Sequence, residues 1–257
     1  MPYAALPAAT LHYRDQDGGG RPLLLIHELG GSGASWDGLA ALLAPRRVLA
    51  PDLRHAGLSE KPPGPVELAD LADDLAALLA HLGIGQADVI GSALGALVAL
   101  VLARRHPGTV RRMVLCTAAS EVSAEARLYI AGRAERVRRE GMRPLAETSL
   151  ANSFPEPHGA ARAAYLPAFL GNAPDSYAEL SLALCRLNLS AADFARIAAP
   201  TLVLQGAADF IWPPATGARV AEMLPDARFR VLDDAAHFPH VQVPGTLAPV
   251  VLDFLGG

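Results

Sequence analysis

The sequence predicts an α/β domain in which helices cover both faces of a mostly parallel sheet. Short runs of Leu, Val and Ile alternate with longer segments whose apolar residues recur at helical spacing, over residues 1–120 and again over residues 190–257. Such alternation is typical of βαβ units. A chain of 257 residues is long enough for one such domain with a large core.

The individual strands and helices are predicted from the spacing of apolar residues and from the glycines and prolines that interrupt it. Buried strands are predicted at residues 23–26, 47–50, 87–90, 110–116, 201–204 and 229–232. Helices are predicted at residues 68–82, 93–106, 215–223 and 247–254. The helix at 93–106 is almost entirely apolar, so we expect it to be buried against the sheet. The run Gly18-Gly19-Gly20 predicts a hairpin-type turn between the first strands.

The alternation stops between residues 121 and 189, which we call the insert. Helical pieces are interrupted there by glycines and prolines, which predicts several short helices inserted after the sixth strand as a cap. Residues 1–120 and 190–257 then form the core. The arginine cluster at 133–139 has helical spacing with two glutamates among it, which predicts a solvated helix face. Tyr129, Arg133 and Phe169 are candidates to line a pocket, although the sequence does not orient them.

Charge and cysteine content narrow the class of protein. The net charge of −4 is spread along the chain, which disfavours nucleic acid and membrane surfaces as partners. The two cysteines give neither a disulfide framework nor metal spacing. No signal peptide is recognised, and the apolar stretch at 89–103 is too short to span a bilayer. We therefore expect a cytoplasmic protein with a small-molecule substrate and no metal or cofactor, and assembly into a homo-oligomer is left open.

A strand-to-helix junction carries the most informative motif, Gly91-Ser92-Ala93-Leu94-Gly95. It resembles the nucleophile elbow G-x-S-x-G of the α/β-hydrolase superfamily, in which a sharp turn presents the nucleophile. Aligned on the two glycines, Ala93 occupies the position of the nucleophile. Ser92 is the residue before it, where a side chain normally points away from the cleft, and local hydrogen bonding is its expected role.

Further motifs extend this resemblance over nearly the whole chain. They are His27-Glu28-Leu29-Gly30-Gly31 where the superfamily has H-G-x-G, the loop at 51–59 that resembles D-x-R-G-H-G-x-S, the acid-bearing turn Gly206-Ala207-Ala208-Asp209, and the histidine loop Ala236-His237-Phe238. Thr117-Ala118-Ala119 and Gly141-Met142 look most like 3-oxoadipate enol-lactonases. The resemblance implies an α/β-hydrolase fold, with a mostly parallel eight-stranded sheet, helices on both faces and an inserted helical cap.

The resemblance also implies roles for particular residues. Asp209 would orient His237, and His237 would act as the general base. The backbone N–H groups of Leu29 and Leu94 would form the oxyanion hole. The residues expected around the pocket are His27, His55, Trp36 and Trp212. His240 is expected to lie behind the reacting residues or at the surface, outside the chemistry.

Departures from the superfamily pattern surround the same site. A methyl group cannot attack a carbonyl, so Ala93 forms no covalent acyl-enzyme. Either a working serine was replaced, or alanine is native and the reaction needs no covalent step. Glu28 beside the oxyanion hole and the His55-Ala56 pair are additional departures, which favour a native alanine.

Glu28 itself has two interpretations. Burial would raise its pKa and suit it to position a water or donate a proton. Alternatively it forms an ion pair that fastens two loops, with His55 or Arg54 as the partner.

Three functions are consistent with these residues. The first is hydrolysis of a small ester, lactone or activated C–C bond, with His237 and Asp209 as the base pair. The second is a cofactor-free reaction of another class, namely a lyase, decarboxylase or oxygenase reaction. The third is a ligand binder without catalysis.

Overall fold

The structure is a computed structural model that describes residues 2–256, and within them eight strands form one sheet. The strands are β1 (Tyr3–Ala5), β2 (Thr10–Gln16), β3 (Gly19–Ile26), β4 (Arg46–Pro51), β5 (Ala87–Ser92), β6 (Val110–Cys116), β7 (Thr201–Gly206) and β8 (Ala227–Leu232). Their spatial order is β1-β2-β4-β3-β5-β6-β7-β8. β1 and β2 pair antiparallel with their neighbours, whereas β3 to β8 are parallel. The predicted mostly parallel eight-stranded sheet is confirmed.

The helices occupy both faces of this sheet. They are α1 (Asp37–Ala40), α2 (Leu68–His81), α3 (Leu94–Arg105), α4 (Ala124–Glu140), α5 (Arg143–Ser153), α6 (Gly159–Leu170), α7 (Pro174–Cys185), α8 (Ala191–Phe194), α9 (Pro214–Met223), α10 (Pro239–Gln242) and α11 (Pro244–Leu255). Alternate residues of β3 supply two separate cores, because successive side chains of a strand point to opposite faces. Leu24 and Ile26 pack with α2, α3 and α9, and Leu23 and Leu25 pack with α1 and α11.

The glycine run before β3 does not make a hairpin, so that prediction was wrong. β2 and β3 are not neighbours, because β4 lies between them and pairs with both. Gly19 instead donates a backbone hydrogen bond to the carbonyl of Pro45 at 2.8 Å, just before β4 begins. Gly18 lies so close to the backbone of Arg46 that a side chain there would collide with it. Gly18 is therefore required by this close approach to β4, whereas Cβ atoms at Gly19 and Gly20 would meet open space.

The insert lies over the edge of the sheet where the parallel strands end. Helices α4 to α7 occupy residues 124–185 between β6 and β7. Their apolar residues form a third cluster, which includes Val137, Phe154 and Phe169 together with Ala93 and Phe238 of the core. The insert therefore closes over the elbow and the histidine loop. None of the helices within residues 2–256 is long and apolar enough to cross a bilayer.

Candidate active site

The elbow between β5 and α3 places Ala93 in a strained backbone conformation. Ala93 has φ 49° and ψ −111°, a region that residues with a Cβ rarely adopt. Its N–H donates to the carbonyl of Cys116 at 2.9 Å, which ties the turn to β6. A Cβ at Gly91 would collide with the backbone of Gly95, and one at Gly95 would collide with the carbonyl of Ile26. The two glycines are thus required by the close packing of the start of α3 on β3 and β5.

Asp209 and His237 form a buried pair at the ends of β7 and β8. His237 Nδ1 lies 2.9 Å from Asp209 Oδ2. Asp209 Oδ1 accepts hydrogen bonds of 3.0 Å from the backbone N–H groups of Ile211 and Trp212, so its carboxylate is held in place. The Thr117 hydroxyl donates to the carbonyl of His237 at 2.9 Å, which holds the histidine loop. With Nδ1 occupied by the carboxylate, Nε2 is the ring nitrogen left for proton transfer.

A cavity of about 200 Å³ brings the elbow and the histidine together. Ala93, Leu29, Leu94 and His237 all line it, as does Trp212. Leu94 is the first residue of α3, where the helical geometry leaves the N–H without an acceptor in its own helix. The described residues contain no group of three or more His, Cys, Asp or Glu side chains arranged to hold a metal ion.

The insert supplies the rest of the cavity wall. Tyr129, Arg133 and Phe169, the three candidates from the sequence, all line it. The Arg133 guanidinium lies 5.7 Å from the centroid of the Tyr177 ring, and its Nη1 donates to the Ser149 hydroxyl at 3.3 Å. Arg133 Nε is buried and has no hydrogen-bond partner among the described residues. Those residues place no Asp or Glu in the cavity wall, so Arg133 gives it a net positive charge.

Glu28 does not line this cavity but lies fully buried behind it. Its Oε1 accepts hydrogen bonds from the Tyr165 hydroxyl at 2.6 Å and the Ser35 hydroxyl at 2.8 Å. Its Oε2 lies 2.8 Å from His240 Nε2. The predicted pairing with His55 or Arg54 was wrong, since Arg54 pairs with Asp74. His240, which was expected to lie outside the chemistry, is fully buried and is the actual partner.

These partners reverse the expected titration of Glu28. Burial alone would raise its pKa, but the His240 imidazole, helped by His27 and the Tyr165 hydroxyl, outweighs burial and lowers the pKa to about 2. A carboxyl group with that pKa is ionised at neutral pH and does not serve as a proton donor. The ion-pair interpretation is therefore the one that the contacts support.

Three residues predicted around the pocket lie elsewhere, and Ser92, which lies away from the cavity as predicted, lacks its expected hydrogen bond within residues 2–256. His27 is buried between two loops, where its Nε2 accepts from the N–H of Leu53 at 3.0 Å and its Nδ1 contacts the carbonyl of Glu28 at 2.8 Å. Trp36 is fully buried against His240, with ring centroids 4.1 Å apart. His55 lines a separate surface depression. Ser92 is buried, and its hydroxyl has no partner among the described residues, so the expected local hydrogen bond is absent there.

Comparison with known proteins decides the family. The family described as having the alpha/beta hydrolase fold matches residues 21–244 of the chain. The chain belongs to the α/β-hydrolase fold family. It is similar to 3-oxoadipate enol-lactonase 2 of Acinetobacter baylyi, with 30% identity over 251 residues that cover 91% of this chain and 89% of the relative. It is also similar to a protein of Pseudomonas savastanoi pv. phaseolicola that bears the name carbamate hydrolase RutD, with 30% identity over 244 residues, 91% of this chain and 93% of the relative.

A solved structure supports the same placement. The enol-lactonase from Burkholderia xenovorans LB400 has a TM-score of 0.91 and 31% identity, with 100% of each chain covered. The predicted membership of the α/β-hydrolase superfamily, the enol-lactonase-like similarity and the assignment as a hydrolase-family enzyme are confirmed. The roles of individual site residues in this α/β-hydrolase rest on the geometry described above.

The sequence did not identify Tyr165 or His240 as partners of Glu28. These residues lie 137 and 212 positions from Glu28, and neither belongs to a motif. Arg133 was expected both within a solvated arginine cluster and as a candidate for the pocket wall, and it lines the cavity. Ile130, Ala134 and Val137 recur with Arg133 at helical spacing, which marks the face of α4 that turns inward and favours the second expectation.

Proposed function

We propose that this α/β-hydrolase hydrolyses a small ester or lactone that carries a carboxylate, by direct attack of water. One observation carries the proposal. A single cavity is lined by the imidazole of the Asp209–His237 pair, by a methyl group at the nucleophile position and by the Arg133 guanidinium. The first two features favour an activated water, and the third favours an anionic substrate.

The chemical step uses groups that line the cavity or hold its wall. His237 Nε2 removes a proton from water as the water oxygen bonds to the carbonyl carbon, and the electron pair of the C=O bond moves to its oxygen. The N–H groups of Leu29 and Leu94 stabilise that oxyanion. The intermediate then collapses, the C–O ester bond breaks, and His237 returns the proton to the leaving oxygen. Asp209 stays ionised and stabilises the imidazolium.

Arg133 indicates the substrate class. Arg133 is half-buried, and its buried Nε–H is costly to leave without a partner unless an anion completes its hydrogen bonds. A substrate carboxylate offers two oxygens in a geometry that the guanidinium matches. The similarity to enol-lactonases supports a lactone as the reacting group.

The surroundings of Glu28 support alanine as the native residue at position 93. Glu28 meets hydrogen-bonding partners from three other elements, namely Ser35, Tyr165 and His240. A substitution of serine by alanine at position 93 alone would not require this complete set of hydrogen bonds behind the oxyanion loop, the segment at residues 27–31 that contains Leu29. We infer that the whole site is adapted to a reaction without an acyl-enzyme, with the insert as its cap.

A pair of esters tests the proposal, namely 4-nitrophenyl hemisuccinate, which carries a carboxylate, and uncharged 4-nitrophenyl butyrate, which is similar in size. We expect turnover with a preference for the charged ester. His237→Gln should lower kcat by at least about 100-fold. Arg133→Met should reduce the preference for the charged ester by about tenfold, because a charge-assisted hydrogen bond is lost.

Mass spectrometry of quenched reactions tests the absence of a covalent step. The native protein should show no acylated species, and Ala93→Ser is the matched control in which an adduct should accumulate. Turnover that survives His237→Gln, or an acyl adduct on the native protein, would contradict the proposal. A product formed by loss of carbon dioxide would instead assign a decarboxylase, and a carboxylate ligand that binds unchanged would assign a binder.

A further inference from the structure

Helix α6 of the insert contacts residues 28–30, the backbone segment at the centre of the oxyanion loop. Tyr165 and Asn172 make the two hydrogen bonds, and Asn172 lies just beyond the end of the helix at Leu170. The Tyr165 hydroxyl donates to Glu28 Oε1 at 2.6 Å. Asn172 Nδ2 donates to the carbonyl of Gly30 at 2.8 Å. The two bonds hold the segment at both of its ends.

Phe169 supplies a third contact between these two. Tyr165, Phe169 and Asn172 are spaced by four and three positions, the spacing of one helix face. Gly30 has a φ of +87°, and a Cβ at this position would lie 2.9 Å from the Phe169 ring. The ring therefore packs directly on the Gly30 backbone. No side chain fits between them.

Leu29 lies between the two hydrogen-bonded residues, and it lines the cavity. Its N–H is an oxyanion donor in the proposed function, on which this inference rests. Such donors act only when they lie within hydrogen-bond distance of the developing charge, and loss of one lowers kcat by about 10²–10³. The orientation of the Leu29 peptide therefore matters to the reaction.

We propose that Tyr165, Phe169 and Asn172 are positioning residues. Docked α6 holds residues 28–30 in the conformation that directs the Leu29 N–H at the reacting carbonyl. Ordering of the insert and assembly of the oxyanion hole are then one event. The insert serves the chemical step in addition to shaping the pocket.

Hydrogen exchange measures this coupling without any substrate. The Gly31 amide is the reporter, because it donates to the carbonyl of Glu28 at 3.2 Å and lies at the end of the held segment. Tyr165→Phe keeps the aromatic packing and removes the hydroxyl, and Asn172→Ala removes the second hydrogen bond. We expect each variant to speed exchange of this amide by about tenfold. The matched control is Arg186→Gln, which breaks another contact between the insert and the core, the bond to the carbonyl of Val66.

Kinetics on 4-nitrophenyl hemisuccinate test the catalytic consequence. Tyr165→Phe and Asn172→Ala should each lower kcat by about tenfold and leave KM within about twofold, since a positioned donor acts in the transition state. Arg186→Gln should change neither constant.

The outcomes separate this inference from the proposed function. Unchanged exchange at Gly31 in both variants would overturn the inference, whatever the activity. Faster exchange with unchanged kcat would overturn the positioning role alone. If the native protein does not turn over the ester, the proposed function fails, and the exchange data still decide whether α6 holds the loop.

Discussion

Replacement of the buried carboxylate by an amide, Glu28→Gln, should destabilise the protein by about 3 kcal/mol at pH 7. The displacement of the Glu28 pKa from its ordinary value of 4.5 to about 2 gives one estimate, at about 1.4 kcal/mol per unit. A count of contacts gives another. Three hydrogen bonds to an ionised oxygen become neutral ones, and each loses about 1 kcal/mol. The two estimates agree.

The same difference should depend on pH. Because the pKa of Glu28 is lowered in the folded protein, its stabilisation is complete above about pH 4.5 and is lost as the pH falls towards about 2. Urea denaturation of both proteins at a series of pH values from 7 down to 3 would measure the difference in unfolding free energy. Glu140→Gln is the control: hydrogen bonds from Arg136 and Arg139 lower the pKa of Glu140 as well, but this carboxylate lies on the surface of α4, where solvent screening should make the pH dependence much smaller. A difference below 1 kcal/mol at pH 7, or one that stays constant as the pH falls, would refute the reasoning.

Three further predictions concern the core and the elbow. Asp88→Asn should lower the unfolding free energy in urea by about 3 kcal/mol, because Asp88 is fully buried between the Arg46 and Arg111 guanidiniums; a loss below 1 kcal/mol would contradict this. Gly95→Ala should destabilise the fold by at least about 2 kcal/mol, because its Cβ would collide with backbone atoms that cannot move. Gly132→Ala, on an open face of α4, is the control and should stabilise the fold by up to about 1 kcal/mol. Equal shifts of the melting temperature in the two variants would contradict this prediction. Ala93→Ser should leave the melting temperature within about 3 °C, as the elbow already has the required backbone, and a larger fall in a thermal scan would show that it does not.

The sequence predicted those parts of the molecule that depend on local pattern. Strands β3 to β8 and helices α2, α3, α9 and α11 fall where the apolar pattern placed them, within a few residues at their ends, whereas β1 and β2 were not placed from the pattern. The elbow around Ala93 was predictable because the close approach of backbones demands glycine at two fixed positions. The Asp209–His237 pair was expected from the resemblance of its two motifs to those of the α/β-hydrolase superfamily, and the two side chains lie within hydrogen-bond distance at the ends of neighbouring strands.

The contacts of Glu28 were not predictable, because they depend on how the insert docks. Its partners are Ser35 in a short 3-10 helix (Gly33–Trp36), Tyr165 in the insert and His240 in α10, and hydrogen bonds between such distant segments leave no periodic signal. The predicted rise in the pKa of Glu28 was wrong for the same reason, because burial was expected but His240 was not recognised as a partner. The prediction of a hairpin at Gly18–Gly20 was wrong because β4, which comes later in the chain, lies beside β2 in the sheet.

Under the proposed function, the methyl group of Ala93 also determines which acceptors the site admits. A serine at this strained turn would hold the acyl group on the protein until any small nucleophile arrived, so alcohols and amines could compete with water for it. With alanine, no acyl group is stored, and the acceptor must already be bound when the carbonyl is attacked. Alanine and serine codons differ by a single base, and the backbone at φ 49° suits both residues. Under the proposed function, one nucleotide therefore separates an enzyme that attacks its substrate directly with water from one capable of acyl transfer.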